Sequence, residues 1–423
     1  MTNLEALVLV VTHYFKGLIC MAHYDYDLVI VGGGPGGLAA AIYGARSKLS
    51  TVVIEKNRPG GQIATTAEWE NYPGSPHASG PSEMEVWVEH AKQFGAEFIK
   101  DEITSISVQG DTRVVSGLEH TYNAKAIILA PGAQPRELGV PGERKFRGKG
   151  VSYCATCDAD FFTELDIIVV GSGDSAIEEG MYLTKFAETV TVIVLHDEGT
   201  LDCTPVLRER AFNNPKMKWI WNSTIAEITG DGIVEGVVLK NIKSGELTPM
   251  ETNGVFMFVG MVPQTEWLKG VIAMDGRGYI EANEICETNL DGVYAIGDCR
   301  QKFLRQVITA AADGAIAATA AEKFIHEEEG FAEMVLHQKI PVVVAFWNPT
   351  RPESMDMNVA LEKLLEPYGS AVKLVKIDTY RNLRISKKCA ISEIPAVVIY
   401  KDGAIVARWD GVVDLAQVEQ TLK

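Results

Sequence analysis

Twice in this chain a short β-branched run is followed at once by a glycine turn and then by small, helix-forming residues. Asp27-Leu-Val-Ile-Val31 leads into Gly32-Gly-Gly34-Pro35-Gly-Gly37 and an alanine-rich helix start. Asp166-Ile-Ile-Val-Val170 leads into Gly171-Ser-Gly173-Asp174-Ser-Ala176 and a helix expected to run to about Lys185. Strand, glycine turn and helix in that order give a GxGxxG/A match its physical meaning. The first glycine allows the tight turn, the second lets a pyrophosphate approach, and the third lets helix and strand pack closely. The helix N-terminus supplies the positive end for the phosphates. Two such units imply an α/β chain with two Rossmann-like domains.

A chain of 423 residues has room for two to four domains with real cores. Its net charge of −17 argues against nucleic acid and anionic membrane surfaces as partners. Seven cysteines are too few, and odd in number, for a disulfide-stapled secreted protein, so a reducing cytoplasm is expected. The apolar run Leu4 to Val11 is too short to span a bilayer and lacks the flanks of a signal peptide. Met21 opens a segment leading straight into the first strand, so translation is expected to start there, with residues 1–23 outside the fold.

After the first glycine turn, strand Thr51-Val-Val-Ile54 ends in Glu55, 23 positions beyond Gly32. That offset suits an acid that binds a ribose hydroxyl. From here the chain resembles the low-molecular-weight thioredoxin reductases over residues 24–327. The resemblance rests on Gly60-Gly61-Gln62, Glu70-Asn71-Tyr72-Pro73-Gly74, Ala130-Pro131-Gly132, Gly297-Asp298 and Leu304-Arg305-Gln306-Val307. It implies FAD as cofactor. It also implies binding roles for Gly32, Gly34, Pro35, Gly37, Glu55, Gly61, Gln62, Asn71, Ala130, Gly132, Asp298, Arg305, Gln306 and Val307. In that family the Asp lies on the ribityl chain and the Arg-Gln stretch near the ring. Pro131 departs from the family's usual Thr.

Cys154-Ala-Thr-Cys157-Asp158 precedes the second glycine turn. A CxxC serves redox chemistry or half of a zinc site; the remaining cysteines and eight histidines offer no second half at matching spacing. A redox pair needs one sulfur as thiolate and a nearby group to move a proton, and Asp158 is placed for that. By resemblance, Cys157 faces the flavin, Cys154 attacks the substrate disulfide, and Asp158 is the acid.

At the second site, NADPH-dependent members of the family carry a His-Arg-Arg run and a further Arg. Aligned without gaps, those positions are Val194, Leu195, His196 and Thr200, followed or flanked by Asp197 and Glu198. The 2′-phosphate of NADPH needs charge-assisted bonds to arginine, so NADPH is disfavoured. Three readings stay open: NADH, bound through an acid on the ribose; NADPH, with basic residues from elsewhere; and a donor that bypasses the second site. The last resembles the ferredoxin-dependent thioredoxin reductases of anaerobes and is preferred. Ferredoxins are acidic, so docking calls for a basic patch; Arg144-Lys145-Phe146-Arg147-Gly148-Lys149, Arg300, Lys302 and Arg305 are candidates, as are Arg381, Arg384, Lys387 and Lys388.

Glu327-Glu-Glu-Gly330 opens a stretch, 328–336, that reads as a linker. Residues 337–423 resemble a thioredoxin fold, anchored by Phe346-Trp347 and Ile394-Pro395, the latter matching that fold's cis-proline. Its CxxC is replaced by Arg351 and Ser354 and its buried acid by Ala345, which leaves no dithiol chemistry there. The expected organisation is therefore an FAD-binding domain (24–136 and 264–327), an NAD(P)-binding-like domain with the CxxC (137–263), and a thioredoxin-like tail. A thioredoxin-like protein is the expected partner and a homodimer the expected assembly. A flavin-binding sensor or scaffold is the competing reading.

Overall fold

The computed structural model describes residues 23–65, 72–75 and 79–423. The expected start at Met21 and the extension before it lie outside the described residues, but His23, expected outside the fold, already opens the first strand. The chain divides into two compact units, residues 1–321 and 322–423.

In the first unit, β1 (His23–Val31) pairs in parallel with β2 (Thr51–Glu55) and β6 (Thr121–Leu129), with Val29 opposite both Val52 and Ile127. Leu28, Val29 and Ile30 are all fully buried, as expected of a central parallel strand covered on both faces. Helix α1 (Pro35–Arg46) follows β1 with proline in its first turn. Helix α2 (Gly80–Gln93) leads to β3 (Glu97–Lys100) at the sheet edge. Strands β4 (Ile103–Gln109) and β5 (Thr112–Gly117) form an antiparallel extension from the first half of β6.

The chain then crosses through β7 (Ala133–Pro135) to β8 (Val151–Ser152) and a single turn, α3 (Ala155–Asp158). A second parallel sheet is built from β9 (Asp166–Val170), β10 (Thr189–Ile193) and β11 (Met217–Ile220), with α4 (Asp174–Leu183) and α5 (Pro205–Phe212) between them. β12 (Ser223–Thr229), β13 (Gly236–Asn241) and β14 (Leu247–Glu251) form a separate antiparallel layer before β15 (Gly254–Met257) rejoins β9. Alternate residues of β9 fill two cores. Ile167 and Val169 pack with helical Ala176, Ile177 and Leu183, while Ile168 and Val170 pack with Ile225, Val237 and Leu239 of the antiparallel layer. This period of two produces the three-layer ββα arrangement. β16 (Met261–Pro263) returns antiparallel to β7, and β17 (Val293–Ala295) pairs with the second half of β6. Helix α6 (Val307–Phe331) follows.

The second unit has a four-stranded sheet in the order β19-β18-β20-β21, made of β18 (Val342–Trp347), β19 (Lys373–Asp378), β20 (Ala396–Lys401) and β21 (Ala404–Asp410). α7 (Pro352–Leu365) and α9 (Leu415–Leu422) bury Leu361, Leu365 and Val418 against Val343 and Ala345. On the other face, α8 (Leu383–Lys388) buries Ile385 with Phe331, Val335 and Phe346. The stretch read as a linker is helical: α6 runs to Phe331 and a π-turn covers Ala332–Leu336. Its acids suggest solvent, but Phe331 and Val335 anchor it in the tail's core. The Ile394–Pro395 bond is cis, as the sequence predicts.

Candidate functional site

The first glycine turn is built by close main-chain approach. A β-carbon on Gly32, where φ is +107°, would lie 2.2 Å from the Ala130 carbonyl oxygen, and one on Gly37 would lie 1.9 Å from that of Gly32. Gly37 thus serves packing. Gly34 precedes α1 with no side-chain cap, so the helix's first N–H groups face the cleft with Pro35 beside them. Gly61 closes on Gly34 from across the cleft: its β-carbon would stand 3.0 Å from Gly34 Cα. Glu55 Oε2 accepts the Gly33 N–H at 2.8 Å and Oε1 that of Asn57 at 2.9 Å, fixing the acid beside the turn. Gln62 Nε2 donates to the Ala133 carbonyl at the start of β7.

These turns open on a cleft of about 2400 Å³, whose walls include Gly34, Glu55, Gly61, Gln62, Ala130, Gly132, Asp298, Arg305, Gln306 and Val307. Asn71 lies outside the described residues. The wall fits a flavin dinucleotide: Asp298 Oδ1 and Arg305 Nε are buried with no hydrogen-bond partner within the protein. Burial pushes the Asp298 carboxyl above its ordinary pKa, against the pull of Lys302 and Arg305. The Arg305 guanidinium sits 4.1 Å from the Tyr279 ring centroid.

Cys154, Cys157 and Asp158 line the same cleft. The two sulfurs are joined in a disulfide, with Cys154 as N-cap of α3. Ser152 is the residue that sequence reasoning missed. Its Oγ donates to Asp158 Oδ2 at 2.6 Å and accepts the Cys154 N–H at 3.1 Å. Buried at the end of β8, it ties the acid to the first cysteine. Burial raises the Asp158 pKa, and the Ser152 hydrogen bond partly opposes that. The only signal for Ser152 was a hydroxyl two residues before a CxxC.

The second glycine turn is complete. A β-carbon on Gly171, at φ +128°, would lie 2.4 Å from the Phe258 carbonyl oxygen, so the close approach is preserved. Val194 is fully buried just past β10, so its side chain does not reach a phosphate. The surface charge here comes instead from Asp197, Glu198 and Asp202. Asp197 pairs with Lys243. Asp202 Oδ2 accepts the Ser172 hydroxyl at 2.7 Å and lies 2.8 Å from His196 Nε2, and these bonds hold its pKa below the ordinary value. Lys243, a basic residue that reaches this edge from elsewhere in the chain, is thus already paired with an acid.

The expected basic patch divides: Arg144, Lys145, Arg147 and Lys149 are exposed, whereas Arg300 and Lys302 face inward. Arg300 and Lys302 both bind Asp313, at 3.3 and 2.8 Å, and their side chains are only 13% and 10% exposed. Arg144 and Arg147 share Glu137. In the tail, Arg384 is bonded to Glu327 and Glu328, and Lys388 to Glu328. Ser354, in the place of a cysteine, is buried and donates to the Asn348 and Arg351 carbonyls at 2.8 Å. Cys389 is buried 3.8 Å from the Tyr400 hydroxyl. Among the described residues no helix is long and apolar enough to cross a membrane.

Comparison with known proteins gives this geometry its context. Residues 26–314 match the pyridine nucleotide-disulphide oxidoreductase family, and residues 322–423 match thioredoxin. The chain is 51% identical over 315 residues to a thioredoxin reductase of Peptoclostridium acidaminophilum, covering 73% of this chain and 99% of that protein. It is 43% identical to the Bacillus subtilis thioredoxin reductase, over 71% of this chain and 95% of that one. The crystal structure of thioredoxin reductase from Streptococcus pyogenes matches 72% of this chain and all of its own, at 43% identity and a TM-score of 0.66. With its flavin-binding turns, its disulfide on the same cleft and these relatives, the chain belongs to the thioredoxin reductase family of flavin-dependent disulfide oxidoreductases and carries a thioredoxin domain at its C-terminus.

Proposed function

We propose that this protein reduces the disulfide of a thioredoxin-like protein through Cys154 and Cys157, using FAD and a donor other than NADPH. The carrying observation is the Cys154–Cys157 disulfide on the cleft lined by Gly34, Asp298 and Arg305, with Asp158 tied to it by Ser152. FAD, when bound, takes up electrons from the donor and delivers them as a pair to the disulfide.

Once reduced, the Cys154 thiolate attacks one sulfur of the partner disulfide, and the bond between the partner's sulfurs breaks. Asp158 supplies the proton to the departing thiolate. Cys157 then attacks Cys154 Sγ, restoring the internal disulfide and releasing the partner as a dithiol. Two electrons and two protons leave this protein in each cycle. To meet both electron source and partner, residues 137–263 must turn between two positions, and the paired β7 and β16 are the crossings available for that motion.

Reduced ferredoxin is the donor this reading prefers, because a flavin can gather single electrons. With Asp197 paired to Lys243, Glu198 and Asp202 support it by repelling a 2′-phosphate. NADH is a second reading, favoured by the intact turn at Gly171 and by the acids available to a ribose hydroxyl. An anaerobic titration with NADPH, NADH and reduced ferredoxin in turn, followed by flavin absorbance, tests both. Rapid bleaching by micromolar NADPH alone would overturn the donor assignment. Light scattering tests the homodimer, and thioredoxin turnover with dithionite-reduced flavin separates an enzyme from a sensor.

A further inference from the structure

Three charged side chains lie buried behind the Gly297-Asp298 turn. Asp313, on α6, has a side chain only 12% exposed. Its Oδ2 accepts the Gly297 N–H at 2.9 Å and the Lys302 ammonium at 2.8 Å, while Oδ1 accepts Arg300 Nη1 at 3.3 Å. Arg300 also donates to Cys286 Sγ at 3.1 Å and to the Asn283 carbonyl at 3.3 Å. Gly297 sits at φ +69°, in the left-handed region, so its amide direction needs holding. Next to it, Asp298 has its unpartnered Oδ1 buried on the cleft wall.

We propose that Asp313 is a positioning residue for the flavin: it fixes the Gly297 amide, so that Asp298 presents its bare oxygen to the cofactor, and it balances two buried cations behind that turn. The inference rests on FAD occupying the first site. One carboxylate facing two cations leaves a fixed local excess of positive charge, screened little because the groups are buried. Removing the negative member raises the local potential, and removing one positive member lowers it. An electron-accepting group at Asp298 feels both changes, with opposite sign.

The test uses the flavin-loaded full chain. Asp313→Asn keeps an oxygen for Gly297 and removes the charge. The expected result is a flavin midpoint potential shifted to more positive values, with FAD bound about tenfold more weakly, as the loss of a charge-assisted hydrogen bond implies. Lys302→Gln leaves Asp313 on Gly297 and removes one cation; its midpoint potential is expected to shift to more negative values. Shifts of opposite sign mark an electrostatic and positioning role, since loosened packing moves both variants the same way. Unchanged potentials in both variants, or same-sign shifts, overturn the inference. If Asp313→Asn does not fold, Lys302→Gln decides alone, by a negative shift or its absence. Wild-type protein that retains no flavin would instead overturn the cofactor reading beneath it.

Discussion

The Ser152 hydroxyl donates to Asp158 Oδ2 at 2.6 Å while accepting the main-chain N–H of Cys154. One side chain therefore sets both the ionisation of the acid and the start of the turn that carries the disulfide. Burial raises the Asp158 pKa and Ser152 lowers it, so removing the hydroxyl raises it further. Ser152→Ala is expected to shift the alkaline limb of thioredoxin reduction to higher pH, since the proton is then held longer. A pH–rate profile of the two proteins checks this; an unmoved or lowered limb contradicts it.

Asp158→Asn keeps a hydrogen-bond acceptor for Ser152 but cannot supply a proton. Turnover with a protein disulfide is expected to fall about a hundredfold, the lower range for a lost general acid. Flavin reduction by dithionite should be unaffected. Stopped-flow measurement of the two half-reactions separates them.

Cys157→Ser should abolish turnover while leaving the bound flavin's colour intact. Cys154→Ser is expected to abolish it too, but without trapping a mixed disulfide with a thioredoxin variant that lacks its second cysteine. Non-reducing gels of both variants distinguish the attacking sulfur from its neighbour.

Donor choice should follow charge. Replacing Asp197, Glu198 and Asp202 together by arginine is expected to improve NADPH use by about tenfold or more, the scale of new charge-assisted bonds to a phosphate. Steady-state kinetics with NADPH before and after the change measure it. An unchanged KM would place the barrier elsewhere.

The tail's Glu328 accepts bonds from Arg384 and Lys388. Burial alone would raise its pKa, but these partners hold it below the ordinary glutamate value. The fold gains stability from it above that value and loses it as pH falls through the lowered one. Glu328→Gln is expected to cost the second unit about 2 kcal/mol at neutral pH, and much less in acid. Denaturant melts at both pH values read the difference.

The layered fold was legible because strand–turn–helix order and apolar runs are local signals. The CxxC and the glycine turns were legible for the same reason. The cation clusters were not: Arg300 and Lys302 read as surface until Asp313, more than ten residues further on, met them in space. Val194 aligns with a phosphate-binding position of the family, and its burial just past β10 agrees with the reading that it cannot hold a phosphate. The acids at 327–329 suggested a linker, yet Glu327 and Glu328 are partners of Arg384 on a distant helix. Short-range patterns carried the turns; pairings across the sequence did not show in it.

β7 and β16 pair only with each other, over three residues each. The roughly 125 residues between them leave and re-enter the flavin-binding portion at neighbouring points. Such a segment has the anatomy of a cassette. Lifted out and closed by a short turn, it should leave a minimal flavoprotein, and an exchanged copy should bring its own acceptor preference with it.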